Sequence, residues 1–159
     1  MTARNIVIER RYRASVQDLW ALWTTQEGFE SWWGPVGFRA DVRRIEARPD
    51  GVLHYAMVAD SDEMIAAMQA AGESGVTECR GHFAEFRPCE RLVLVQVIDF
   101  LPGVDPYDSR IAVDFIPEGD MVRMLVSLSP MHDAATSRMQ EGGFLNQLTK
   151  LKERFGDLE

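Results

Sequence analysis

The chain has only two cysteines, Cys79 and Cys89, in 159 residues. One pair is too few for a disulfide scaffold, and the spacing is not that of a zinc site. A reducing cytoplasm is the compartment this predicts. The opening MTARNIVIERRY has no apolar core of the kind a signal peptide needs. Apolar runs fall far short of the roughly 20 residues that span a bilayer, so no membrane insertion is expected. Positive charge is also in deficit: 17 Lys and Arg stand against 25 Asp and Glu, a formal net charge of −8. That argues against nucleic acid, which calls for a basic patch, and against an anionic membrane surface. There is no G-x-S-x-G, no H-E-x-x-H, no glycine-rich phosphate loop and no C-x-x-C. The three histidines, His54, His82 and His132, fall on different predicted elements and make no metal motif. No cofactor is implied. Repeats, low-complexity tracts and linkers are lacking too, so residues 1–159 read as one domain.

The most informative stretch that is present runs from Ser15 to Pro35. Ser15 with Asp18 three residues on has capping-box form. Val16, Leu19, Trp20 and Trp23 follow at i, i+3, i+4, i+7, one apolar helix face. Phe29, Trp32 and Trp33 repeat that spacing until Gly34-Pro35 stops it. All four tryptophans thus lie within fourteen residues. Large aromatics concentrated in one early helical pair form a wall or a mouth over a sheet.

Strands surround that pair. Asn5–Tyr12 alternates before it. Phe38–Ile45, Val52–Val58, Val76–Phe86, Leu92–Phe100, Ser109–Ile116 and Met121–Pro130 come after, punctuated by turns such as Pro49-Asp50-Gly51 and Pro117-Glu118-Gly119-Asp120. Leu92–Ile98 is almost continuously apolar and reads as a central strand. Between the third and fourth strands, about residues 60–75, a helical insertion carries a Met64, Ile65, Met68 stripe. It reads as a mobile lid or as a contact in a possible homodimer. From Asp133 the period becomes helical, and Phe144, Leu148, Leu151 and Phe155 form a core stripe. Gly142-Gly143 interrupts this helix, costing about 1 kcal/mol per glycine against alanine. Close approach of a neighbour, or room left for a ligand, would offset it. The fold class is therefore α+β, an antiparallel meander folded around one long helix. Trp20 and Leu148 are expected to be nearly fully buried.

These residues resemble a known family. The order of elements is similar to the helix-grip, or START-like (SRPBCC), fold. The local pattern resembles the AHSA1-like proteins, the branch named after the activator of the Hsp90 ATPase. The resemblance rests on Ser15–Trp20, Trp32-Trp33-Gly34-Pro35, Pro49-Asp50-Gly51, Gly81–Glu85, Pro88–Leu92 and Gly143-Phe144 with Leu148 and Leu151. Asp99–Gly103 and Pro130–Asp133 look like marks of a bacterial subgroup. The pattern typically has proline where Cys89 stands and tryptophan where Phe144 stands. The resemblance implies a seven-stranded curved sheet, two short helices after the first strand, and a deep apolar cavity between sheet and C-terminal helix.

Facial parity on the strands puts Trp33, Phe38, Tyr55, Met57, Phe83, Gln96, Met139 and Phe144 forward as the cavity wall. Gln96 either anchors a ligand or faces solvent. Glu85 shares parity with Phe83 and is a candidate cavity carboxylate, unless a bulge turns it out to Arg87 or Arg91. His132 is a candidate polar group at a cavity end, or a helix-entry hydrogen-bonding residue. Three functions stay open. One is binding of a small hydrophobic or amphipathic molecule. The second is a cavity enzyme of cyclase, dehydratase or hydrolase type, with no catalytic motif visible. The third is a co-chaperone module.

Overall fold

The computed structural model describes residues 5–99 and 103–155. Residues 100–102 of the Asp99–Gly103 motif lie outside them. β1 (Ile6–Tyr12) leads to α1 (Val16–Thr24) and α2 (Gln26–Glu30); β2 (Phe38–Ile45) and β3 (Val52–Ala59) come next. α3 (Asp62–Ala70) is followed by β4 (Val76–Arg87), β5 (Arg91–Ile98), β6 (Tyr107–Glu118), β7 (Met121–Leu128) and α4 (Ala134–Phe155). The seven strands form one curved antiparallel sheet in the order β1-β7-β6-β5-β4-β3-β2. Six strands run as a meander. β1 and β2 are the two edges, so α1 and α2 carry the chain from one edge to the other.

Side-chain caps set the helix starts. Ser15 Oγ accepts from Asp18 N (3.0 Å) and Ser61 Oγ from Met64 N (3.1 Å). Asp133 Oδ1 accepts from Thr136 N (2.7 Å). Each satisfies a backbone donor that the helix itself leaves open. α1 and α2 meet so closely that a Cβ on Gly28 would lie 2.1 Å from Ala21 O, which leaves room only for glycine. No helix is long and apolar enough to cross a membrane among the described residues.

The core lies between the sheet and the helices. Leu53, Phe83, Leu94, Val113 and Met124 rise from the strands, and Phe144, Leu148 and Leu151 descend from α4. β5 is the middle strand, and Val93 and Val95 on its outer face are buried as well as Leu92 and Leu94 on its inner one. Leu148 is buried as expected, and Leu148→Ala is expected to cost about 2–5 kcal/mol, the usual range for a core leucine. A chemical-denaturation midpoint equal to that of the wild type would refute the α4 stripe. Trp20 corrects the expectation made for it. It is only half-buried, because its ring packs edge-on against Phe86 (4.9 Å) and Phe115 (5.5 Å) at the end of the core.

The β4–β5 turn holds a surprise. Glu90 N donates to Arg87 O (2.9 Å) across Pro88-Cys89, and Cys89 takes φ +61°. Proline in second place and a left-handed residue in third is a type II pattern that favours glycine at the third place. A proline at 89, locked near φ −65°, would forbid it. Cys89→Gly is therefore expected to stabilise the fold by about 1 kcal/mol, raising Tm by roughly 2–4 °C. An unchanged or lowered Tm would contradict this.

No residue of α3 is fully buried, and Ile65 is exposed. The helix is seated through Met64, which lies beside Gly37 in the loop before β2.

Candidate functional site

The resemblance implied a deep cavity, but aromatic side chains fill most of that space. Phe29 stacks on Trp33 at 4.7 Å, and Trp23 meets Trp32 (5.1 Å) and Trp33 (5.4 Å) edge-on. Phe144 of α4 closes the group at 6.2 Å from both Trp32 and Trp33. Among the described residues an open cleft of about 180 Å3 lies between α4 and the inner face of β3, β5 and β6. It is somewhat larger than the roughly 150 Å3 that accommodates a benzene-sized molecule.

Six of the eight proposed wall residues line this cleft: Trp33, Tyr55, Met57, Gln96, Met139 and Phe144. Phe83 and Phe38 do not. Phe83 is fully buried in the core against Phe86 (5.4 Å), and Phe38 is half-buried where β2 begins. Ile111, Gln140, Gly143 and Gln147 complete the lining. Gln140, Gly143 and Gln147 are spaced i, i+3, i+7, so they share one face of α4. That spacing is visible in the sequence, but polar residues at helical spacing ordinarily mark a solvated face. A Cβ on either Gly142 or Gly143 would meet nothing within 4 Å. The glycine pair is therefore not there for close packing, and Gly143 leaves open space over the cleft.

Tyr55 is the polar centre. Its hydroxyl accepts from Trp33 Nε1 (3.0 Å) and Gln96 Nε2 (2.7 Å). Gln96 thus faces inward. Burial drives the Tyr55 phenol well above its ordinary range, so it stays protonated. Cys79 sits opposite Tyr55 on β4, and burial pushes its thiol up to about 11.

The two candidate polar groups lie elsewhere. The β4–β5 register shifts between Phe83 and Glu85, a bulge that reverses the alternation. Phe83 and Phe86 consequently both point inward, and Glu85 turns outward to Arg91 (2.9 Å) and Arg87 (3.3 Å). Those hydrogen bonds, Arg91 first, hold its carboxyl below the usual range. His132 Nδ1 is 2.9 Å from Tyr107 Oη, and its Nε2 is 3.3 Å from Asp133. It belongs to the entry of α4. Neither residue lines the cleft.

A clamp from α4 fixes the Trp32-Trp33-Gly34-Pro35 loop. Gly34 N donates to Gln147 Oε1 (2.9 Å) and Val36 N to Asn146 Oδ1 (2.6 Å). Lys150 Nζ donates to Gly34 O (2.8 Å), and Arg154 Nη1 to Ser31 Oγ (3.1 Å). Burial lowers the Lys150 ammonium below its usual pKa. Gly34 needs its φ of +103° to offer both backbone groups to the helix. The same clamp holds Trp33 over the cleft.

Larger hollows exist on the surface. One of about 490 Å3 lies between Arg13–Gln17 and the β6–β7 turn, and one of about 400 Å3 lies around His54, Glu78 and Arg80. Neither has an aromatic wall, whereas apolar and amide side chains cluster around the smaller cleft.

Comparison with known proteins agrees with the fold. A solved structure of a protein from Chromobacterium violaceum superposes with a TM-score of 0.78 at 18% identity, covering 96% of this chain and 97% of that one. The AHSA1 protein from Silicibacter pomeroyi gives 0.73 at 18% identity, over 94% and 96%. CalU16 from Micromonospora echinospora gives 0.62 at 17% identity, over 98% and 76%. No curated protein matches. The family of activator of Hsp90 ATPase homolog 1-like proteins matches over residues 13–156, and this chain belongs to it.

Proposed function

We propose that the chain is a binding module that holds a small apolar or amphipathic molecule in the cleft between α4 and the sheet. The observation that carries this reading is the lining itself. One indole, one phenyl ring, two thioethers, one phenol and three amides surround the cleft, and among the described residues that line it Tyr55 is the only titratable group. Such walls reward burial of apolar surface while a few polar atoms orient the guest. Acid–base catalysis would need converging proton donors and acceptors. Glu85 and His132 are engaged elsewhere, and Tyr55 is buried and protonated. The unpaired Cys79 and Cys89 suit a reducing cytoplasm. A co-chaperone role has the family's name in its favour, but no surface feature described above speaks for it.

A neutral environment-sensitive ketone, 6-propionyl-2-(dimethylamino)naphthalene, tests the reading. Saturable 1:1 binding with a blue-shifted emission and quenched tryptophan fluorescence is expected. Met139 is 75% exposed on the rim, so Met139→Glu should leave Tm unchanged. It should weaken the probe on the order of tenfold, by setting a charge against apolar walls. No saturable binding, or binding indifferent to Met139→Glu, would overturn the proposal.

A further inference from the structure

Two amide atoms on the cleft's own side chains have no partner among the described residues. Gln147 Nε2 and Gln140 Oε1 are both sealed from water and unbonded. Gln147 is only 4% exposed, and its orientation is not arbitrary. Its Oε1 is spent on Gly34 N–H, so the group facing away from that contact must be the NH2 donor. Gln140 is held more loosely, by one 3.5 Å contact from Nε2 to Ser109 Oγ. Buried polar groups are nearly always paired, and an orphan donor is a standing penalty that a partner removes. The two residues lie seven apart on one helix face, roughly 10 Å along the axis. Gly143, with open space where its side chain would be, lies between them.

We infer that the molecule this cleft takes is uncharged and slim, lies along α4 across Gly143, presents a carbonyl-type acceptor to Gln147 Nε2, and presents a hydroxyl or N–H to Gln140 Oε1. The inference rests on the binding reading above and narrows its ligand class to neutral aromatic carbonyl compounds with a polar group at the far end. A carboxylate is disfavoured, because no cationic side chain lines the cleft to compensate its desolvation. The broad terminal torsion of glutamine lets the loosely held Gln140 amide turn to meet such a guest, while Gln147 keeps its Oε1 on Gly34 N–H.

Three naphthalenes of one shape test this: 2-ethylnaphthalene, 2-acetylnaphthalene and 6-hydroxy-2-acetylnaphthalene. Against the wild type, the acetyl compound should bind about five- to tenfold tighter than the ethyl compound, and the added hydroxyl should gain a further few-fold, as single neutral hydrogen bonds do. Gln147→Met should erase the acetyl advantage while sparing the ethyl compound. Gln140→Met should erase only the hydroxyl advantage. Gln147→Met also removes the Gly34 contact, so a second measurement uses the unaltered protein. In a 1H–15N spectrum the Gln147 side-chain NH2 pair should shift with the acetyl compound and not with the ethyl one. Equal affinity of ethyl and acetyl compounds for the wild type, with no such shift, would overturn the inference and leave the binding reading standing. Failure of all three to bind would overturn both.

Discussion

Trp33→Ala is expected to destabilise the protein by about 3–5 kcal/mol, the range for truncating a large core aromatic. The ring is 4% exposed, stacked on Phe29 and edge-on to Trp23, Trp32 and Phe144. Alanine would leave a void inside this group, and each lost aromatic pair removes about 0.5–1.5 kcal/mol beyond area burial. The indole N–H would also cease to donate to Tyr55. Tm should fall by roughly 10 °C for a chain of this size. A residue that only rimmed a cavity could be truncated with little loss of structure, as its place at a helix end suggests. Urea denaturation followed by circular dichroism separates the two, and a midpoint within error of the wild type would assign Trp33 to the rim after all. Because of this effect on stability, Trp33 is a poor first choice for probing ligand contact.

Gly143→Leu is the cleaner probe and should act with opposite signs on two readouts. Replacing a helical glycine removes a conformational cost of about 1 kcal/mol. At 143 the new side chain enters the cleft, beside Phe144 and Met139, where no heavy atom opposes its Cβ. Stability should hold or rise slightly. Binding of the naphthyl ketone should fall by more than about tenfold, since the isobutyl group occupies the ligand's volume. Gly142→Ala serves as the control. It faces solvent, has equal room for a Cβ and lies outside the cleft. It should raise Tm by about as much as the glycine penalty predicts and leave the affinity alone. Equal affinity for Gly143→Leu and the wild type would move the binding site away from α4.

The sequence by itself determined the elements. Alternation in Phe38–Ile45 and Val52–Ala59, the turn residues between them, and the 3.6-residue stripe through Phe144, Leu148 and Leu151 are local signals. Each reports which face of its own segment is covered. They sufficed for seven antiparallel strands around a C-terminal helix, and the motif at Trp32–Pro35 pointed to the family. Parity also pointed to Tyr55, Met57 and Gln96 as inward-facing.

Tertiary structure decided the rest. Of the two readings the sequence left open for Glu85, the structure takes the second: a bulge adds one residue to β4 and turns the carboxylate out to Arg91 and Arg87. His132 was claimed by Tyr107, 25 residues away, and the loop at Gly34 by Gln147 and Lys150, more than 110 residues away. The size of the cleft was decided there too. A pattern of apolar positions says that a space is walled, but whether it stays hollow depends on the summed volume of side chains arriving from separate segments. Here Trp23, Phe29, Trp32, Trp33 and Phe144 converge from three helices and the loop after α2 and pack against one another, and among the described residues the cleft lies beside Gly143, where α4 has no side chain.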